Sequence, residues 1–272
     1  MCIRDRKGNE SILNNNPHIR KILIWDKSHY KFYSLCKMVL EVRKEKYDFI
    51  LNIQRFFNSG LITALSGAKK TIGFHSNPLS ILFSQKVTHK IPHKTADSFL
   101  HEVQRNSQLL RIIDPKLEIP KSESIPMRIY FSEKDKESIK DLNLNLHYIV
   151  MAPASVWYTK QWHKNKWKHL ISLLNKKYQI ILIGAPSDSE YLSFFETDNV
   201  INLAGKLNLR ESALLMKAAA QVFVNDSAPL HLASSVDAKT TAIFCSTIPD
   251  FGYGPLSSEK RIIQVSPRLE CM

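Results

Sequence analysis

The sequence predicts an α/β chain built from doubly wound parallel sheets in two domains. Its 272 residues suffice for two domains of ordinary size. Short apolar runs alternate with segments of helical period along most of the chain, the pattern of βαβ units. One mixed, proline-punctuated stretch, 114–146, interrupts that alternation and marks a crossing between domains at 1–130 and 131–272.

Each element follows from its residues. Met1–Arg6 shows no pattern that a fold would explain; it reads as a non-native lead and is set aside with residues to about 15. Lys21–Trp25 is a strand. Phe32–Lys44 is a helix, with Leu35, Met38, Val39 and Val42 at helical spacing. Tyr47–Ile53 is a strand and Phe57–Ala68 a helix ending in the small residues Ser66-Gly67-Ala68. Lys70–Phe74 is a third strand, followed by an irregular stretch holding His75, His89 and His93. Ser98–Ile113 is a helix stopped by Asp114-Pro115. In the crossing, Met127–Tyr130 is extended and Ser132 caps a helix to Leu142. The second half repeats the alternation more sharply. Its strands are Tyr148–Ala152, Gln179–Ile183, Val200–Asn202, Gln221–Val224 and Thr240–Phe244. Its helices are Lys164–Lys176, Ser187–Phe195, Leu209–Ala219 and Pro229–Ser235. Right-handed crossovers would bring the carboxyl ends of these strands to one edge, where ligands bind.

Composition narrows the function classes. Hydrophobic residues make up 44% of the chain, enough for sizeable cores. No apolar run reaches the roughly 18 residues of a membrane span, and the first ten residues lack the apolar core of a secretory signal. A soluble, cytosolic protein is expected. The four cysteines form no CxxC pair, so neither a zinc site nor a disulfide framework is indicated. A net charge of +13 favours polyanionic partners: an anionic membrane surface, a phosphorylated substrate or nucleic acid. No nucleic-acid motif accompanies the basic residues, which leaves nucleic acid the weakest of the three. His75, His89 and His93 lack metal-ligand spacing and read as a solvated basic loop.

The residues just after the strands of the second half carry the chemistry. Ala152-Pro-Ala-Ser-Val-Trp-Tyr-Thr-Lys160-Gln-Trp162 joins small residues to the Ser155 hydroxyl and the Lys160 charge, ahead of a helix start. That combination suits a phosphate; it also reads as an ordinary connection with Trp157 and Trp162 in the core. Ile183-Gly184-Ala-Pro-Ser-Asp188-Ser-Glu190 offers acidic groups to ribose hydroxyls or, equally, helix caps. Val224-Asn-Asp226-Ser-Ala-Pro-Leu-His231 opens a helix, with Pro229 at about its first position. The amides of Ser227 and Ala228 would face an anion, and His231 looks back toward the loop. The simpler alternative makes Asp226 the cap and His231 a partly buried helix residue. Together the three loops suggest a nucleotide-diphosphate site. There is no GxGxxG, GxxxxGK[ST] or HExxH, which argues against a dinucleotide oxidoreductase, a P-loop ATPase and a zinc hydrolase.

The succession Pro153-Ala-Ser…Lys160-Gln-Trp162, Ile183-Gly184…Asp188, Leu203-Ala-Gly205-Lys-Leu-Asn-Leu209 and Asn225-Asp-Ser-Ala-Pro-Leu-His231 resembles glycosyltransferase family 9, the ADP-heptose:lipopolysaccharide heptosyltransferases. Tyr47-Asp-Phe-Ile-Leu-Asn-Ile-Gln54, Ser66-Gly-Ala, Thr71-Ile-Gly-Phe74 and His101-Glu102 agree with that family's N-terminal domain. The likeness covers about residues 17–271. It implies the GT-B architecture of two Rossmann-like domains, the N-terminal one incomplete here. It further implies inverting, metal-independent transfer of heptose from ADP-heptose to an inner-core lipopolysaccharide acceptor. No cofactor is expected; the partners would be the nucleotide-sugar donor and an anionic glycolipid at the inner membrane surface, so the protein would be cytoplasmic or peripheral there. By resemblance, Ser155, Val156 and Lys160 lie by the phosphates, and Lys160 neutralises the leaving ADP. Asp226, Ser227, Ala228 and His231 hold the diphosphate and sugar. Asp188, or failing that Glu190, takes the ribose, and the backbone near Leu207 meets the adenine.

The sequence departs from the family pattern in several places. Ala154 and Ala228 stand where the family usually has glycine, so their methyl groups would crowd a phosphate or forbid a positive φ. His163 replaces a common proline. The family's first strand and glycine-rich loop, with the aspartate regarded as its catalytic base, precede the point near Asn16 where the likeness starts, and its closing helices follow Met272. The expectation is a chain truncated at both ends, with no base nominated within it. Two further readings stand beside this one: a GT-B transferase using another nucleotide sugar, and a non-catalytic nucleotide-binding protein.

Overall fold

The computed structural model of the chain describes residues 1–6, 9–26, 30–90, 100–121, 125, 127–142, 144 and 147–265. Two compact units emerge, one of Met1–Glu10 with Pro17–Ser122, the other of Ser11–Asn16 with Glu123–Met272. The division falls at Ser122 rather than Tyr130. Ile12, set aside with the lead residues, packs on the core of the second unit.

The first unit holds, in order, β1 (Cys2–Arg6), β2 (Lys21–Trp25), α1 (Lys31–Lys44), β3 (Phe49–Asn52), α2 (Phe57–Ala64), β4 (Lys70–Phe74), β5 (Gln85–Val87) and α3 (Glu102–Ser107). β1 pairs in parallel with β2, and β3-β4-β5 form a second parallel sheet. Leu35, Met38, Val39 and Val42, the helical stripe of α1, close on Leu23 and Trp25 of β2 and on Ile62 of α2. Periodicity therefore located this core correctly. It did not find β1, where the chain forms a strand with Cys2 opposite Lys21 and Arg6 opposite Trp25. A strand is held by backbone hydrogen bonds, which leave no apolar signature at a sheet edge.

The basic stretch 75–93 also differs from expectation. It contains β5, and the His89 side chain is buried, not solvated: its Nε2 lies 3.0 Å from Glu102 Oε1, while its ring meets Phe74 edge-on at 4.7 Å. Arg105 Nε donates to the same carboxylate at 2.8 Å. His75 is exposed, and His93 lies outside the described residues. The helix expected over 98–113 is α3 followed by a 3₁₀ turn at Leu110–Ile112. His101 caps α3, accepting from the Val103 amide through Nδ1.

The second unit runs α4 (Glu133–Lys140), β6 (Tyr148–Ala152), α5 (Lys164–Leu174), β7 (Gln179–Leu182), α6 (Ser189–Ser193), β8 (Val200–Asn202), α7 (Leu209–Ala218), β9 (Gln221–Asn225), α8 (Ala228–Ser235), β10 (Thr240–Ile243) and β11 (Lys260–Ile263). The strands form one parallel sheet in the order β8-β7-β6-β9-β10-β11. This is the doubly wound order in which the chain leaves the first strand one way and returns to its other side. All five residues of β6 are buried. Tyr148, Val150 and Ala152 pack with Ala213, Leu215 and Met216 of α7 and Leu230 of α8. Ile149 and Met151 pack with Trp167 and Ile171 of α5 and Leu192 of α6. Burial on both faces explains why this strand reads as a continuous apolar run. The switch point lies between the carboxyl ends of β6 and β9.

Candidate functional site

At that switch point the loops after β6 and β9 meet. Asn225, the last residue of β9, is fully buried, and its side chain grips both ends of the first loop. Its Nδ2 donates to the Pro153 carbonyl at 2.6 Å, and its Oδ1 accepts from the Trp162 amide at 3.1 Å. Between these anchors the backbone tightens into a 3₁₀ turn at Tyr158–Lys160, and Gln161 Nε2 donates to the Ser155 carbonyl at 2.7 Å. Trp162 packs edge-on to the buried Trp167, 5.3 Å between ring centroids. His163 caps α5, its Nδ1 accepting from the Asn165 amide. The alternative that buried both loop tryptophans holds for Trp162 in part and fails for Trp157, whose side chain is 68% exposed beside Val156 at 96%.

Lys160 reaches across to Asp226. Its Nζ lies 2.6 Å from Asp226 Oδ2. The same oxygen accepts from the Thr247 hydroxyl at 2.6 Å. Thr247 follows β10, so three adjacent strand ends converge on one carboxylate. Asp226 is therefore not the cap of α8. Ser227 is, in an extended conformation and with no side-chain bond to the helix amides. Pro229 contributes no N–H. The helix start consequently presents amide dipole, with Ala228 exposed at its first position.

His231 sits one turn into α8, its ring 6.5 Å from that of Tyr253. Burial lowers its pKa from the ordinary 6.5; the Asp226 charge opposes that shift and the Lys160 charge adds to it. The imidazole is neutral at neutral pH and able both to donate and to accept.

Asp188 and Leu207 form a second group on the β7 and β8 side. Asp188 Oδ2 accepts from the Ala185 amide at 2.8 Å, closing the 3₁₀ turn Pro186–Asp188; Asp188 stands at the cap of α6 but makes no side-chain bond to that helix's amides. Glu190 is exposed. The Gly205 amide donates to the Gly184 carbonyl at 3.0 Å and ties the two loops together. Gly205 has φ +72°, and a Cβ there would lie 2.8 Å from Pro186 Cα. Leu207 turns its side chain onto the core. The structure thus brings Lys160, Asp226, Ser227, Ala228 and His231 to one switch point, and Asp188 with Leu207 to the neighbouring strand ends.

The concern over the two alanines is not realised in the backbone. Among the described residues, the non-glycine positions with positive φ are Asn15, Tyr30, Lys46 and Asp237, so neither Ala154 nor Ala228 requires glycine. Two residues had no assigned role in the sequence. Thr247 lies in Cys245-Ser-Thr-Ile-Pro249, directly after a strand, and the rule that marked the other loops marks this one too. Asn225 stands inside the quoted motif, but its two bonds depend on β6 lying beside β9, which sequence order does not state.

The family model described as glycosyltransferase family 9 (heptosyltransferase) matches residues 35–272. Lipopolysaccharide heptosyltransferase 3 of Escherichia coli (strain K12) is 25% identical over 252 residues, 87% of this chain and 71% of the relative. Among solved structures, a glycosyl transferase family 9 protein from Veillonella parvula DSM 2008 superposes with a TM-score of 0.85 at 18% identity, covering 99% of this chain and 79% of that one. The E. coli ADP-heptose lps heptosyltransferase II superposes with a TM-score of 0.79 at 20% identity, covering 98% and 82%. These likenesses establish the α/β fold of the GT-B heptosyltransferases. With the family model spanning most of the sequence, the chain belongs to glycosyltransferase family 9, the heptosyltransferases.

Proposed function

We propose that this glycosyltransferase moves heptose from ADP-heptose to an inner-core lipopolysaccharide acceptor, inverting the anomeric centre without a metal. The observation that carries the reading is the convergence of Lys160, Asp226 and the start of α8 at the sheet switch point. Transfer needs a leaving group whose charge is stabilised as the sugar–oxygen bond breaks. An ammonium and helix-start amides supply that stabilisation through fixed charge and dipole. In this reading the acceptor hydroxyl attacks the anomeric carbon from the face opposite the departing ADP, and a general base takes its proton. Lys160 turns from Asp226 to the diphosphate. Asp226, relieved of its cation, accepts from sugar hydroxyls, with His231 beside it. Asp188 presents its second oxygen to the ribose, and the backbone near Leu207 borders the adenine. Ser155 and Val156 line the phosphates.

No helix among the described residues is long and apolar enough to cross a membrane. The positive balance of the chain suits peripheral contact with an anionic glycolipid surface on the cytoplasmic side. Thermal shift with ADP, UDP and GDP tests the donor. Ligand at about 100 times Kd adds about 2.7 kcal/mol of stability. ADP alone should raise the melting temperature; a response to UDP but not ADP would replace heptose with another nucleotide sugar. Nucleotide binding without transfer of heptose would favour the non-catalytic reading.

A further inference from the structure

We infer that Asn225 is a positioning residue for transfer: it holds residues 153–162 so that Lys160 stands over Asp226. This rests on the proposed role of Lys160 at the diphosphate. Asn225 is wholly buried, yet its carboxamide is used at both atoms, donating to the Pro153 carbonyl at 2.6 Å and accepting from the Trp162 amide at 3.1 Å. Those partners are the two ends of the loop that carries Ser155, Val156 and Lys160. The next residue, Asp226, receives the loop's cation at 2.6 Å. One dipeptide therefore fixes the loop's backbone through its first side chain and its charge through its second.

The chemistry selects asparagine. The site needs one donor and one acceptor separated by the width of a carboxamide, without net charge. An ionised aspartate accepts only and would face the Pro153 carbonyl with like polarity. A leucine would leave a buried carbonyl and a buried amide unpaired. Lys160 is a long, flexible side chain on an otherwise exposed turn; without the clamp its reach is spread over many loop conformations. Asn225 touches neither substrate nor reacting atoms in this arrangement and acts through Lys160.

The test has an arm that needs no nucleotide. Lys160 and Lys176 are labelled with an amine-reactive ester and followed by mass spectrometry. Asn225→Ala should label Lys160 at least about threefold faster than the parent chain while Lys176 is unchanged, because loss of a network contact decouples its partners. Equal Lys160 rates in a folded Asn225→Ala protein overturn the proposal. Should that variant not fold, amide exchange in the parent chain decides. Trp162 N–H should be protected from exchange; an amide exchanging at the rate of an unstructured loop overturns it. In the second arm, Asn225→Ala should raise the ADP Kd about tenfold in the parent background and less than about twofold in the Lys160→Ala background. Equal losses in both backgrounds show a merely structural role and overturn the proposal. If ADP fails to bind the parent chain, the donor reading falls, and the labelling arm still judges Asn225.

Discussion

Lys160 and Asp226 stand 66 residues apart in sequence and 2.6 Å apart in space, cation to carboxylate, at the ends of two neighbouring strands. Asp226 keeps only 7% of its side chain exposed, so this pair is more than a surface contact. In the proposed reading, a cation held by a nearly buried carboxylate is stored beside the donor's diphosphate.

Removing Lys160 should therefore affect function and folding together. Lys160→Ala should lower turnover with ADP-heptose by about 100-fold or more, the scale for losing one preorganised charge-stabilising donor. Lys164→Ala should change it by less than about threefold, since Lys164 lies over the Phe194 ring at 3.8 Å, away from the switch point. Steady-state kinetics on both variants check this; equal losses would remove Lys160 from the phosphate site.

Thr247→Val keeps the side-chain shape but deletes the hydroxyl that bonds Asp226 Oδ2. Hydrogen bonds to charged groups contribute about 1.5–3 kcal/mol, so urea unfolding should show a loss of that order. An unchanged midpoint would mean that solvent replaces the hydroxyl.

His231 gives a pH dependence of known sign. Burial holds its folded pKa below the ordinary 6.5. Above 6.5 the imidazole is neutral in folded and unfolded chains alike and has no effect. As pH falls below 6.5 the unfolded chain takes the proton first, and stability drops until the folded value is passed. His231→Gln should flatten this part of the stability profile. Denaturation midpoints measured from pH 7.5 to 5 provide the check, an identical slope being the contrary result.

The α4 start offers a second electrostatic test. Asp135 is buried, which pushes its pKa up, but bonds from Ser132 and the charge of Arg210 outweigh that and lower it below 3.8. Its stabilisation is present above pH 3.8 and is lost as pH falls through the lowered value. Asp135→Ala strands the Arg210 guanidinium, now 3.1 Å from the carboxylate, and should cost about 3–5 kcal/mol. Ser132→Ala, which removes the cap and the hydroxyl's bond to the Asp135 carboxylate but leaves the ion pair with Arg210, should cost less, about 1–2 kcal/mol. Parallel unfolding curves rank the two.

What could be read from the residues depended on where the signal lay. β6 and β7 were legible because burial on both faces makes them apolar throughout. Ser132 was legible as a cap because capping chemistry is local. β1, β5 and β11 were not; each is an edge strand, and the residues of β11 are exposed along its whole length. His89 was misread because its partners, Phe74 and Glu102, lie on either side of it in sequence and give no periodic sign. At the switch point, Lys160, Asp226 and His231 were named from strand-end position, and the structure brings the three together. Thr247 was overlooked, and the Asn225 clamp needs the adjacency of β6 and β9, a property of strand order rather than of composition.

Ala154 and Ala228 have a consequence beyond accommodation. Both occupy ordinary backbone conformations, so the methyl group adds no distortion to the folded loops. It does restrict what the denatured chain can visit, which favours the native side by about 0.4–1 kcal/mol at each position relative to glycine. Compared with glycine at these two positions, this chain begins from a narrower set of disordered conformations and surrenders less entropy to assemble the pair of turns at the switch point.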